Sequence, residues 1–506
     1  MANGSDHFDA WWMLQCAVTR HGDREAILDL GNNDGGQSRQ LTYRDLHARC
    51  SVLARFLATQ GDASVRPGDR IAVMLENCPA FMEMHFAVAG LRAILVSLNF
   101  RLQPPEISYI VCDSAPRWLV AHVTYRAVLL QALVHDSGAA TAVLSGIIWV
   151  GHAEPTMVEP AQLLPPFGGG TAELVYADAL QEYQAGPVVP WVAPALPQSG
   201  AFHLYYTSGT TGRPKGVVLT HKNMISHAER CVSTIGYAAT DIWLHTAPMF
   251  HLVDSQAIYI ITMCGGKHVF LRGFQPVEVM RAIATHRITT TNLASTMVAV
   301  LMSNPQRSNF DLSSIRLLSC GGSSLAPDVI DRATKELNCR FFMDYGMTEC
   351  SGHICISLLG GAASQGPAEE AAAEYPALQG LAPQQRLELN SMSGRAFCGM
   401  EVRVVEPATG LTEQPVSDQN VITDGKAVGE VVVRGDTVFL EYWQNPVATA
   451  ESRLAASDGG ADWFRTGDLA VMNEFGFINV VSRLKECEHI AACHQQSPRE
   501  QTAATA

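Results

Sequence analysis

The sequence predicts a layered α/β protein with largely parallel sheets and helices, followed by a smaller β-rich, barrel-like unit. Three observations carry that expectation. Short apolar runs alternate with segments of helical periodicity through most of the chain. The texture changes after about residue 393, where short strands joined by turns take over. A chain of 506 residues is also too long for one ordinary core.

The elements follow in order. Residues 70–75 read as a strand. A helix is entered at Pro79 after Asn77, with Phe81, Met84, His85 and Val88 near helical spacing, and 94–97 is the next strand. That is one βαβ unit. Further strands are expected at 118–121, 147–150, 202–206, 242–246, 268–271, 289–293, 315–319 and 340–343, with helical segments between many of them. In the β-rich part, strands are expected at 402–405, 429–434, 464–468 and 475–481. The segments 153–197 and 360–389 read as surface insertions, the first rich in Pro and Gly, the second in Ala, Gln and Glu. The expected organisation is a core of two α/β halves over 1–392, a β-rich unit over 393–486 and a short tail over 487–506.

The composition is that of an ordinary globular chain, 47% apolar and 17% charged. With 35 basic and 49 acidic residues the formal charge is −14, which argues against a nucleic-acid-binding surface. An anionic ligand would therefore depend on charges placed locally in a cleft. The thirteen cysteines are scattered, with no CxxC or HExxH spacing, and read as reduced thiols. No apolar run reaches membrane-spanning length, the N-terminus lacks a signal-peptide layout, and Thr-Ala-Ala-Thr-Ala ends the chain where a peroxisomal tripeptide would stand. The expected location is the cytoplasm.

Residues 205–223, YYTSGTTGRPKGVVLTHKN, hold the most specific signal. A loop between two strand-like runs offers unobstructed backbone N–H groups, hydroxyls from Thr207, Ser208, Thr210 and Thr211, and the cation of Lys215. These are the groups that hold a polyphosphate, since each oxygen needs donors and the summed charge a counter-charge. The spacing is not that of a P-loop. A bare glycine-rich hairpin turn is the alternative.

Four weaker signals follow. In LSCGGSSL (318–325), glycines would let a flat base approach the backbone, or would simply turn a strand into a helix. In MDYGMTE (343–349), Tyr345 offers a ring, Thr348 a hydroxyl and Glu349 a carboxylate suited to Mg2+, or Thr348 caps a helix with Glu349 in its first turn. WFRTGDL (463–469) sets an aspartate at a strand end, where it could accept two ribose hydroxyls or serve a turn. VSRLKE (481–486) offers Arg483 and Lys485, which could equally be a solvated face.

The order of these five stretches resembles the adenylate-forming, AMP-binding superfamily of acyl-CoA synthetases, luciferases and peptide-synthetase adenylation domains. The resemblance runs from about Trp11 to Glu486 and is supported by PMFH (248–251), GRAFCGMEVRVV (394–405) and GEVVVRGDTVFLEYW (429–443), which look like acyl- and aryl-CoA ligases. It implies an N-terminal adenylation domain and roles for individual residues. Thr207, Ser208, Gly209, Thr210, Thr211, Gly212 and Lys215 would hold the β- and γ-phosphates of ATP. Gly322, Ser323, Asp344, Tyr345 and Gly346 would contact the nucleotide, Tyr345 by stacking on adenine. Thr348 would touch the α-phosphate, Glu349 with Thr210 would hold Mg2+, and Asp468 with Arg483 would hold the ribose. His251 would border the acyl carboxylate, or is a satisfied histidine at a strand end. Lys215, His251, Thr348, Glu349 and Arg483 are the implied catalytic groups.

The implied reaction is ATP-dependent activation of a carboxylic acid as an acyl-adenylate with release of pyrophosphate, then transfer to CoA. A non-catalytic nucleotide-binding protein and an adenylating enzyme for another acceptor are the alternatives. Leu252, Val253, Ile258 and Ile260, on the helix expected after PMFH, are apolar and favour a fatty or aryl monocarboxylic acid. Asp254 could face an amine, but an exposed position of that helix is the favoured expectation. The family continues past the arginine motif into a small mobile lid carrying a lysine. Here Lys485 stands at the hinge, Ser482 stands where many relatives have aspartate, and 487–506 contains no lysine. The expectation is therefore an adenylation domain without its lid, with nucleotide binding kept and thioester formation weakest, or a gene product that continues further.

Overall fold

The computed structural model describes residues 9–31, 39–135, 139–151, 172–181, 188–197, 199–207, 213–322, 325–357, 381–407, 416 and 421–484. Three sheets organise them. The first has eight strands in the order Glu441–Tyr442, Lys215–Thr220, Ala201–Thr207, Ile94–Ser97, Arg70–Met74, Trp118–His122, Gly146–Val150 and Ala172–Val175. The second has nine, in the order Arg395–Ala396, Gly352–Ile356, Arg340–Met347, Leu317–Gly321, Thr290–Ala294, Ile242–His245, Lys267–Phe270, Glu25–Asp29 and Arg39–Thr42. Their central strands pair in parallel, and antiparallel pairing is confined to strands near the edges.

Strand alternation sorts side chains into layers. Ile71 and Val73 enter one core cluster, whereas Ala72 and Met74 enter another on the opposite face of the same sheet. The first cluster also receives Trp243 and Phe270 from the nine-stranded sheet, so it fills the space between the two sheets. Helices Ala10–His21, Tyr43–Ala58, Pro79–Leu91, His221–Ile235 and Leu252–Cys264 contribute to that shared core. The far face of the nine-stranded sheet is covered by Pro276–His286, Ser295–Ser303 and Pro327–Leu337. The result is the layered α/β fold expected, with both faces of each sheet covered.

Helix Pro79–Leu91 is buried along its whole length, as a helix apolar on nearly every side at the centre of a large core should be. Its one carboxylate, Glu83, is fully buried and held by Arg49, whose Nε and Nη2 lie 2.5 and 3.0 Å from its two oxygens, and by the Tyr176 hydroxyl at 2.6 Å. Burial pushes the Glu83 carboxyl up, but the Arg49 guanidinium and the Tyr176 hydroxyl together outweigh it and hold the carboxyl below its usual range.

The β-rich part is an open half-barrel of five antiparallel strands, with Met400–Val405, Gly429–Gly435, Trp463–Met472 and Arg453–Leu454 in order and Ile478–Arg483 also on Trp463–Met472. One short strand leaves it. Glu441–Tyr442 pairs with Lys215–Thr220, and the backbone N–H groups of Leu440 and Trp443 donate to Val218 and Gly216, so this chain segment closes the edge of the eight-stranded sheet.

Several expectations are corrected. The segment 153–197 is not wholly a surface insertion. Ala172–Val175 extends a sheet, Tyr176 is buried on Glu83, and the Trp191 indole donates to the Gly90 carbonyl. Residues 152–171 and 182–187 lie outside the described set, as do 358–380 of the second expected insertion and everything after Leu484, including Lys485. The second insertion's end forms helix Pro383–Ser391. The strand expected at 340–343 runs on to Met347, because DYGM finds an antiparallel partner in Gly352–Ile356. Asp254 is fully buried instead of exposed; it accepts from the Trp243 indole at 3.0 Å and faces His245 Nδ1 at 2.9 Å. No described helix is long and apolar enough to cross a membrane.

Candidate active site

Local pairing accounts for most of the site. Thr207 ends one strand and Lys215 opens the next, and the two are register partners across the hairpin. The loop between them, with Ser208, Gly209, Thr210, Thr211 and Gly212, lies outside the described residues, as does Ser323. Asp468 and Arg483 are likewise register partners on adjoining antiparallel strands. That register sets Arg483 Nε 2.7 Å from Asp468 Oδ1. The other oxygen of Asp468 accepts from the Tyr345 hydroxyl at 2.7 Å. Asp468 is almost fully buried, and these two partners help to hold its charge there.

Tyr345 reaches Asp468 because its strand bulges there. The register shifts between Tyr345 and Gly346, and a Cβ on Gly346 would lie 1.9 Å from the Gly352 carbonyl oxygen, so only glycine passes. The strand then ends in a short 3-10 turn, Thr348–Cys350, whose preceding residue is Met347. Thr348 is thus inside the turn and caps no α-helix.

Glu349 sits in that turn, 7% exposed, with Oε1 accepting from the Tyr442 hydroxyl at 3.0 Å. The Phe439 N–H donates to its backbone carbonyl at 2.7 Å. Burial pushes the Glu349 carboxyl up, against the opposing pull of Tyr442, Arg483 and Lys215. Lys215 Nζ lies 4.9 Å from the centre of the Tyr442 ring, a cation–π distance. Tyr442 therefore links the hairpin lysine to the carboxylate.

These groups share one cleft of about 480 Å3, lined by Thr207, Lys215, Gly346, Thr348, Glu349 and Arg483 among others. Asp468 lies just behind it through Arg483 and Tyr345. At the C-terminal ends of the parallel strands, Gly321 and Asp344 are register partners, and the Asn292 amide donates to Asp344 at 3.1 Å. Burial raises the Asp344 carboxyl. Gly322 has φ +88 and nothing within 4 Å of where a Cβ would stand, so its backbone faces open space. His251 is exposed at the start of helix Leu252–Cys264 and does not line the cleft. Leu252, Ile258 and Ile260 are buried in the shared core, and Val253 is half-buried.

Sequence reasoning missed Tyr442, Glu430, Arg465 and Thr466. Arg465 makes a bidentate grip on Glu430 at the cleft, with Nη2 to Oε2 at 2.8 Å. Thr466 donates to the Val431 carbonyl and accepts from the Asp468 N–H, which fixes the backbone under Asp468. The signal was present in GEVVVRGDTVFLEYW and WFRTGDL, but only Asp468 was taken from them.

Over residues 14–443 the chain matches the family described as AMP-binding enzyme. It is 29% identical over 447 residues to a feruloyl-CoA synthase from Amycolatopsis sp, a match spanning 88% of this chain and 74% of that protein. A long-chain-fatty-acid–CoA ligase from Thermus thermophilus is 28% identical over 485 residues, spanning 95% and 78% of the two chains. The inhibitor-bound N-terminal domain of FACL13 from Mycobacterium tuberculosis has the same fold, with a TM-score of 0.70 at 24% identity, covering 94% of this chain and 100% of that one.

Proposed function

The chain belongs to the AMP-binding enzyme family and is an enzyme of the acid–thiol ligase type, and from that premise we propose that its cleft binds ATP beside a fatty or aryl monocarboxylic acid, forms the acyl-adenylate and passes the acyl group to CoA. The observation that carries the proposal is the convergence of Thr207, Lys215, Glu349 and Arg483 on one cleft, from stretches separated by up to 276 residues (483 − 207).

The residues present fit a magnesium nucleotide. Glu349 is a buried carboxylate held at one oxygen by a phenol, with two cations close enough to lower its pKa, so an anionic ligand and a divalent ion would complete its charge environment. The open space beside Gly322 fits a flat base approaching the backbone. Mg2+, where bound, would be held by Glu349 and would neutralise phosphate charge. The protein's part is placement. Lys215 offsets charge on the leaving pyrophosphate. Asp468 would accept from ribose hydroxyls, with Arg483 and Tyr345 fixing its orientation. A carboxylate oxygen of the acid attacks the α-phosphorus in line, and pyrophosphate departs; the CoA thiol then displaces AMP. Positioning and charge stabilisation account for the rate, with no covalent enzyme intermediate. His251 would border the acid only if helix Leu252–Cys264 frames the acyl end.

Exchange of labelled pyrophosphate into ATP, run with a panel of fatty and aryl acids, tests the proposal. Acid-dependent exchange supports it, and acyl-CoA formation in the same panel supports the second step. ATP binding with no exchange for any acid would instead indicate a nucleotide-binding protein.

Tyr442→Phe should move the acid limb of the exchange profile to higher pH. The phenol holds the charged form of Glu349, so its loss raises a carboxyl already raised by burial. Glu349 then protonates earlier as pH falls. An acid limb unmoved in the variant would remove Glu349 as the titrating group.

A further inference from the structure

Behind the cleft, the helix that follows the lysine strand packs on the strand that follows the Glu349 turn. Where they meet, His227 and Cys231, four residues apart on helix His221–Ile235, face His353 of strand Gly352–Ile356. All three are buried, and one ligand atom from each lies within 4.8 Å of the other two. Cys231 Sγ is 3.7 Å from His227 Nε2, and the two imidazole centroids are 5.1 Å apart. Nitrogen and sulfur ligands on one tetrahedral zinc stand roughly 3.3–3.6 Å apart, given bonds of about 2.0 and 2.3 Å. The Cys231–His227 pair is already near that spacing, and the widest pair must close by up to about 1.5 Å to reach it.

A fourth donor points at the same place. The Gln256 side chain is buried and its Oε1 has no hydrogen-bond partner among the described protein atoms. A Cβ built on Gly352 would lie 2.5 Å from Gln256 Oε1 and 2.7 Å from His227 Nε2, so both atoms converge on one side of a glycine with φ +131. A buried acceptor left unmade is destabilising, and a ligand here would offset that cost. Asp344 lies close enough to act electrostatically on both Cys231 and His353. A nearby carboxylate is what metal-bound histidines commonly have as an outer partner.

We propose that His227, Cys231 and His353, with Gln256 Oε1 as fourth ligand, bind one soft divalent cation of the Zn2+ class that braces the helix after Lys215 to the strand after Glu349. No role in the reaction is assigned to it; it is a structural clamp. Binding releases the Cys231 thiol proton to solvent, and the cation takes the His227 Nε2 lone pair that now accepts from the His353 N–H at 3.2 Å. The thiolate and the Asp344 carboxylate together balance the two positive charges, which suits a fully buried ion.

Elemental analysis of the whole chain, expressed with added Zn2+ and dialysed, should give about one equivalent per chain. Co2+ added to chelator-treated protein should give thiolate-to-cobalt charge-transfer absorption together with tetrahedral d–d bands. Cys231→Ser should lose that charge-transfer band and at least about tenfold in metal affinity. Chelation should lower the melting temperature of the unsubstituted chain and leave that of the variant unchanged. Two results overturn the proposal: no retained Zn2+ and no cobalt band in the unsubstituted chain, or retained Zn2+ that Cys231→Ser leaves undiminished. The cobalt titration needs no variant, so a substitution that prevents folding does not shield the proposal.

Discussion

Glu349→Gln should reduce acid-dependent pyrophosphate exchange by on the order of 10²–10³ while the chain stays folded. Glutamine keeps an oxygen for the Tyr442 hydroxyl and nearly the same volume, so the turn and its Phe439 contact persist. What disappears is the negative charge beside Lys215 and Arg483. The stability effect has a definite sign. Burial raises the Glu349 carboxyl, so its contribution to stability is full below the unfolded pKa and is lost as pH rises through the folded value. Glutamine has no such titration. At neutral pH the variant should therefore melt no lower than the parent, and its melting should lose that pH-dependent component. Exchange within threefold of the parent, or gross unfolding, would each count against the assignment of Glu349 to the chemistry.

The largest loss of stability is expected at Arg49→Met, about 3–5 kcal/mol, because it leaves the fully buried Glu83 without its cation. Tyr176 alone would still donate to Glu83. In the parent the Glu83 carboxyl is depressed, so its stabilisation is present above the unfolded pKa and is lost as pH falls through the folded one. Without Arg49 the remaining burial pushes the carboxyl up, and the sign reverses: acidification should stabilise the variant in that range. Combining Arg49→Met with Glu83→Gln should recover most of the loss, since no unpaired charge remains. Urea melts at neutral and mildly acidic pH distinguish these outcomes. An unchanged midpoint in Arg49→Met would mean that the pair carries no net stabilisation.

The parts legible in the sequence were those with a local signature. Strand 94–97 was placed to the residue, and most other core strands to within one or two, because both-face burial gives continuous apolar runs. The hairpin from Thr207 to Lys215 announced itself by composition. What escaped depends on pairing between distant segments. Asp254 sits in a helix whose polarity pattern suggests a wet face, yet Trp243 and His245 cover it from another strand. The strand expected at 340–343 runs on to Met347 because Gly352–Ile356, further along the chain, supplies its partner. Tyr442 could not be tied to Glu349, 93 residues away, without knowing that Glu441–Tyr442 leaves the half-barrel for another sheet.

That departure of Glu441–Tyr442 has a practical consequence for anyone dissecting the chain. A cut near residue 392 severs a two-residue graft that seals the lysine hairpin, and it strips the upstream fragment of the phenol beside its acidic side chain. Neither half would be self-sufficient: the first would expose a raw sheet edge prone to association, and the second would carry a dangling segment with nothing to dock on. Co-expressed fragments should regain solubility only when the second includes this graft, which makes split-protein complementation a sensitive reporter of the junction.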